Sequence, residues 1–132
     1  MIHVLAAVIC IDDRFLIATR PDGTHLAGKW EFPGGKIELQ ETPGEGLKRE
    51  IKEELGVSII VLDKVFNTVF AYPEKTVCID FYRALPEDRN NFCPDQLDGQ
   101  TLAWVKRSEL KNYDFAQADK DIIEFLTSIV TD

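Results

Sequence analysis

Apolar residues along this chain follow two periods, and the switches between them lay out the elements. Residues 2–11 are almost continuously apolar and rich in Val and Ile, the pattern of a strand buried on both faces and too short to span a membrane. Asp12-Asp13 makes a turn, and residues 14–20, with Phe15, Leu16 and Ile17, pair back as the second strand of a hairpin. Pro21, Asp22 and Gly23 break that strand and open a loop running through His25 and Gly28 to Trp30. From Thr42 to Gly56 the period becomes 3.6, with Leu47, Ile51 and Leu55 within about 80° of one another on a helical wheel. Thr42 is a hydroxyl N-cap, Pro43 stands at the first helical position, Glu45 completes a capping box, and Gly56 ends the helix. Residues 57–62 and 65–70 read as one long or broken strand, 72–75 as a turn, and 76–85 as the returning strand. There Val77, Ile79 and Phe81 alternate with Cys78, Asp80 and Tyr82, and Asp80 is expected on the solvent side. Residues 86–99 are irregular, 101–105 a short strand, Ser108 the cap of a brief helix through Leu110, and 113–118 a connector. A last helix over about 120–130 buries Ile122, Ile123, Leu126, Ile129 and Val130. Strands, a helix, more strands and a closing helix predict an α/β (α+β) fold with a mixed β-sheet between helices. No repeat or linker divides the chain, so residues 1–132 read as a single domain.

Charge narrows the partners. Fifteen basic against twenty-three acidic side chains leave a net charge of −8, a surface that repels nucleic-acid polymers. A small phosphorylated substrate remains compatible, because a bound metal ion reverses the charge locally. The three cysteines, Cys10, Cys78 and Cys93, are widely spaced and form no Cys-x-x-Cys pair; Cys10 and Cys78 sit in apolar runs and read as small buried hydrophobes, so no disulfide framework or zinc site is suggested. No basic-then-apolar leader and no run of membrane-spanning length appears, so a cytoplasmic location with no membrane partner is expected.

The candidate chemistry lies on the central helix. Glu50, Glu53 and Glu54 occupy the arc beside its apolar stripe, and Glu41 precedes it. Like charges three and four residues apart repel, so a cation is expected to compensate, and hard carboxylate oxygens suit Mg²⁺ or Mn²⁺. The alternative is a solvated acidic face with Arg49 and Lys52 as partners. Gly34-Gly35 favours the site, since glycines let backbone approach a ligand closely or adopt positive φ.

Gly35, Glu41, Arg49, Glu50, Glu53, Glu54 and Gly56, with apolar Ile51 and Val57, match every specified position of the Nudix hydrolase signature, and the chain resembles that family. The resemblance implies a Nudix-type α/β/α sandwich and Mg²⁺-dependent hydrolysis of a nucleoside triphosphate to monophosphate and pyrophosphate, with Mn²⁺ as a substitute. By the same resemblance Glu53, Glu54 and the Gly34 carbonyl bind metal, Glu50 is a metal ligand or the general base, and Arg49 orients the carboxylates. Glu41 is either a partner of Arg49 or a further ligand.

Beyond the signature, Thr19-Arg20, His25, residues 30–36 and Asp98-Gly99-Gln100 are similar to the MutT-like nucleotide sanitisers. That similarity implies that Arg20 and His25 contact the nucleotide, that Glu31, Phe32, Pro33 and Gly34 line the pocket, and that Asp98 reaches the metal cluster. Taken alone, His25 is a surface loop histidine and Asp98 an ordinary turn former. The chain departs from the pattern at the base-reading position: MutT-like proteins carry an asparagine shortly before the last helix, where this sequence has Asp119. Asparagine both donates and accepts, whereas ionised aspartate only accepts. Asp119 would read an oxidised purine if protonated, or accept from the amino group of cytosine, as the Ala-x-Ala-Asp arrangement of the family's CTP pyrophosphohydrolases suggests. Its other reading is a cap of the helix starting at Lys120, where the helix terminus would favour the ionised form. The expected role is clearance of 8-oxo-dGTP, with CTP or dCTP as the alternative substrate. A nucleotide-sensing module without hydrolysis is the rival of a different class, against which the complete set of signature acids argues.

Overall fold

The computed structural model describes residues 1–128. Strand β1 (Ile2–Ile11) organises the pairing. It lies parallel to β6 (Thr76–Pro86), with Ile2 facing Val77 and Ile9 facing Ala84. Its other edge is shared by two antiparallel neighbours: β4 (Gly34–Lys36) pairs near the start, Ala6 against Gly34, and β2 (Arg14–Thr19) near the end, Cys10 against Phe15. Asp12 and Asp13, at φ 52° and 60°, form the β1–β2 turn, the left-handed pair that matches the twist of a hairpin. β3 (Trp30–Glu31) and β7 (Leu102–Lys106) add to β2, and β5 (Ile59–Ala71) adds antiparallel to β6, giving one mixed seven-stranded sheet.

Alternation along β1 sends successive side chains to opposite faces. Leu5, Ala7 and Ile9 pack under Leu47, Ile51 and Leu55 of α1 (Pro43–Leu55), all fully buried. Ala6 and Val8, with Val77, Ile79 and Phe81, pack against Ile122, Ile123 and Leu126 of α2 (Lys120–Ser128). The expected sandwich is therefore present. No helix among the described residues is long and apolar enough to cross a membrane.

Several local expectations change. Of the two readings of residues 57–70, one long strand holds, over Ile59–Ala71, with register shifts between Val61, Lys64 and Phe66. The brief helix is a 3₁₀ turn over Arg107–Asn112 that starts from Lys106 without a side-chain cap, so Ser108 lies inside it. Cys10 and Cys78 are half-buried rather than core residues. Asp80 is not on the solvent side: it is 8% exposed, flanked by β1 and β5 and hydrogen-bonded to His3 and Asn67. Ile129 and Val130, expected in the last helix, lie outside the described residues.

Candidate active site

Helix α1 begins as its sequence dictates. Thr42 Oγ1 accepts from the Glu45 amide at 3.2 Å, Glu45 Oε1 accepts from the Thr42 amide at 2.8 Å, and Gly56 ends the helix at φ 70°. With both ends set, Arg49 gathers the carboxylates. It donates through Nε and Nη2 to Glu41 at 2.7 and 3.0 Å, and through Nη1 to Glu50 at 2.9 Å and Glu53 at 3.3 Å. Glu41 is thus the two-pronged partner of Arg49, whose hydrogen bonds hold its carboxyl below the usual range. Glu41 and then Glu50 push the guanidinium further up, so Arg49 stays charged. Glu53 rests outward on Arg49 with 60% of its side chain exposed.

The remaining acids converge on Glu54. Loop 94–100 docks on the end of α1, where the amides of Asp95 and Leu97 donate to the carbonyls of Leu55 and Glu54 at 2.9 and 3.2 Å. The buried Gln100 braces the loop by donating to the Glu54 carbonyl at 3.4 Å and accepting from the Asp98 amide at 3.0 Å. Burial, and after it the charges of Glu31, Glu50 and Asp98, push the Glu54 carboxyl up to about 8. Burial also raises Glu50, against the pull of Arg49, and raises Glu31 against the pull of Arg20 at 2.9 Å. Like charges raise one another's carboxyls unless something neutralises them. The donors are all oxygen, as a hard divalent cation requires: Glu54, bonded to the Gly34 backbone, with Glu50 and Asp98 near enough for their charge to raise it. No three of these carboxylates bring oxygens within 4.8 Å of one another, so a cation would draw them together as it replaces the Glu54 proton.

The glycine pair acts through close packing and not through positive φ. A Cβ on Gly34 would run into the Leu5 carbonyl and the Ala6 Cα of β1, and one on Gly35 would run into the Glu50 carboxylate.

Beside the acids lies a cavity of about 320 Å³ whose lining includes Arg20, His25, Glu31, Phe32, Gly34, Glu54, Asp98 and Asp119, within the size range of small-molecule sites. Ile2, Val4, Val77 and Ile79 give it an apolar wall. Pro33, expected to line this pocket, instead lines a small adjoining hollow with Glu54, Asp98 and Gln100; its carbonyl accepts from the Ala7 amide at 2.8 Å, which ties it to β1. Asp119 is not a cap. It ends a 3₁₀ turn over Gln117–Asp119 that runs directly into α2, makes no capping bond, and is 4% exposed. Burial, reinforced by Glu31 and opposed by Arg20, raises its carboxyl well above the ordinary value. The helix terminus was expected to favour the ionised form; desolvation outweighs it.

Tyr72, Glu74 and Leu26 escaped the sequence. The Tyr72 hydroxyl accepts from the Ala118 amide at 2.9 Å and so tethers the segment bearing Asp119. His25 meets the Tyr72 ring edge-on at 4.8 Å, and its Nδ1 lies 2.7 Å from Glu74. Its Nε2 is buried with no hydrogen-bond partner among the described residues. Leu26 lines the cavity at φ 60°, a left-handed conformation rare for a branched residue and the one local hint in this loop. Nothing in the spacing of residues 72–75 beyond a turn signal connects them to residues 25 and 118.

Residues 4–125 match the family model of the NUDIX domain. The chain is 32% identical over 130 residues to the CTP pyrophosphohydrolase of Escherichia coli, covering 94% of this chain and 90% of that protein. It is 31% identical over 129 residues to the 8-oxo-dGTP diphosphatase of Haemophilus influenzae, covering 96% and 91%. Among solved structures, that of the E. coli ORF135 protein aligns with a TM-score of 0.81 at 31% identity, covering 97% of this chain and 89% of that one.

Proposed function

The chain belongs to the NUDIX family as a MutT-like hydrolase, and from that premise we propose that it converts nucleoside triphosphates to monophosphates and pyrophosphate, with 8-oxo-dGTP as its substrate. The observation that carries this reading is that Glu31, Glu54 and Asp98 line one cavity together with Arg20 and Asp119. Glu54, Glu50, Glu53, Asp98 and the Gly34 carbonyl would hold Mg²⁺, or Mn²⁺ in its place. When bound, the cation offsets both the carboxylate charge and the developing charge on phosphate oxygens.

Glu50 positions the attacking water and takes its proton, a role that its raised carboxyl suits. Arg49 aligns that carboxylate from 2.9 Å, and Arg20 and His25 hold the nucleotide. A neutral Asp119 accepts from the N7 proton of 8-oxoguanine through one oxygen and donates to O6 through the other, as an asparagine amide would. The second reading is CTP or dCTP, favoured by the match to a CTP pyrophosphohydrolase along 94% of the chain; there an ionised Asp119 would accept from the cytosine amino group.

A pyrophosphate-release screen over 8-oxo-dGTP, dGTP, CTP and dCTP with Mg²⁺ and with Mn²⁺ tests both readings. The expected result is a kcat/KM for 8-oxo-dGTP above that for CTP, and Asp119→Asn retains or improves that ratio. A preference for CTP that Asp119→Asn destroys would establish the second reading. Stoichiometric nucleotide binding without product at high protein and Mg²⁺ would overturn hydrolysis altogether.

A further inference from the structure

Away from the nucleotide cavity, His3, Cys78 and Asp80 bring an imidazole nitrogen, a thiol sulfur and a carboxylate oxygen within 4.8 Å of one another. The ladder explains the grouping. His3 of β1 faces Cys78 of β6 directly, and Asp80, two residues on, returns to the same face. Ile2, Val4, Val77 and Ile79 point the other way and wall the nucleotide cavity, so the trio occupies the back of the same two strands. Asp80 is buried with polar partners at both oxygens: His3 Nε2 lies 2.7 Å from one, and Asn67 Nδ2 donates to the other at 2.7 Å, with Lys64 Nζ 3.7 Å away. Asn67 Nδ2 also stands 3.5 Å from Cys78 Sγ. Burial alone would raise the Asp80 carboxyl, but the bonds from His3 and Asn67 and the charge of Lys64 hold it below its usual value. The proposed hydrolysis uses none of these groups.

We propose that His3, Cys78 and Asp80 form a second metal site, for a borderline-soft divalent cation of the Zn²⁺ class, separate from the carboxylate cluster on α1. The donor chemistry selects the ion: nitrogen, sulfur and oxygen together suit Zn²⁺, whereas the all-oxygen cluster around Glu54 suits Mg²⁺. Side-chain movement sets the space: the Cys78 sulfur must close from a separation of up to 4.8 Å while His3 and Asp80 open. Bonds of about 2.0–2.3 Å at tetrahedral angles separate ligand atoms by roughly 3.3–3.6 Å. The His3–Asp80 pair, at 2.7 Å, need open by only about 0.6 Å, a side-chain adjustment on a ladder that keeps its register. On binding, the cation replaces the proton shared between His3 Nε2 and Asp80, and Cys78 releases its thiol proton to solvent. Lys64, half exposed, swings away, Asn67 continues to orient the free carboxylate oxygen, and water completes the fourth position.

Co²⁺ added to Mg²⁺-saturated protein is the probe, because a thiolate ligand gives a near-ultraviolet charge-transfer band that carboxylates cannot. One Co²⁺ per chain is expected to produce the band and one Zn²⁺ to abolish it. Cys78→Ser removes it, while Cys10→Ser and Cys93→Ser keep it. Zinc affinity falls at least ~10-fold in Cys78→Ser and in His3→Ala, with pyrophosphate release in Mg²⁺ unchanged in Cys78→Ser as the control for folding. Absence of the band, its survival in Cys78→Ser, or equal zinc affinity in that variant would each overturn the site.

Discussion

Gly34 and Gly35 are adjacent, yet adding one methyl group to each should break different things. At Gly35 the new carbon meets the Glu50 carboxylate, the tip of a flexible side chain, which must retreat by about 1 Å to reach an ordinary non-bonded separation. That retreat stretches the 2.9 Å bond from Arg49 beyond hydrogen-bonding distance. Because a displacement of that size in an aligned catalytic group costs on the order of 10²-fold, Gly35→Ala should lower kcat by about that factor and stability by under ~1 kcal/mol. At Gly34 the carbon meets the backbone of Leu5 and Ala6, in a strand whose opposite edge is pinned to β6. No side chain there can move aside, so the cost is about 3 kcal/mol, a fall in Tm of roughly 10 °C for a domain of this size. Thermal unfolding followed by circular dichroism, alongside pyrophosphate release at saturating 8-oxo-dGTP and Mg²⁺, separates the two. Full kcat in Gly35→Ala, or a Tm as low as that of Gly34→Ala, would refute the reasoning.

The pH dependence of the metal-free protein should report Glu54. Its carboxyl stands at about 8 when folded against 4.5 as reference, so the folded state holds the proton more tightly. This contribution is complete below pH 4.5 and is lost as pH rises through 8; Tm should fall across that window, and Glu54→Gln should flatten the fall by its share, with an unchanged slope counting against it. Tyr72→Phe leaves the Ala118 amide without its acceptor, at about 1 kcal/mol. It should reduce the preference for 8-oxo-dGTP over CTP more than it reduces kcat, and an unaltered ratio of kcat/KM values would sink the tether. Glu53→Gln and Glu54→Gln should each abolish turnover with the melting transition intact, and Glu50→Gln should cost ~10²-fold or more; full turnover in either of the first two would refute the metal assignment.

What could be read from the sequence was what local spacing encodes. Helix α1 was legible to its last cap because Thr42, Pro43, Glu45 and Gly56 act within one turn of their own positions, and β1 because ten nearly unbroken apolar residues admit few alternatives. Residues whose surroundings come from distant chain were misread. Asp119 can be taken for a cap from its neighbours, but its raised carboxyl comes first from burial and then from Glu31, far off in the chain, against the pull of Arg20. Asp80 looks solvent-facing by alternation, yet His3 and Asn67 enclose it from both adjoining strands.

The parallel pairing of β1 with β6 also bears on how the chain emerges from the ribosome. Ile2 waits for Val77, so about 75 residues must follow before the first strand meets its principal neighbour, several seconds at ~5–20 residues per second. Throughout that interval a Val- and Ile-rich strand is shielded on one edge by β2 and β4 alone. Until then the edge of β1 that belongs to β6 lies open to pairing with other chains, so slowing translation between residues 36 and 76 is expected to lower soluble yield, and an unchanged yield would count against this.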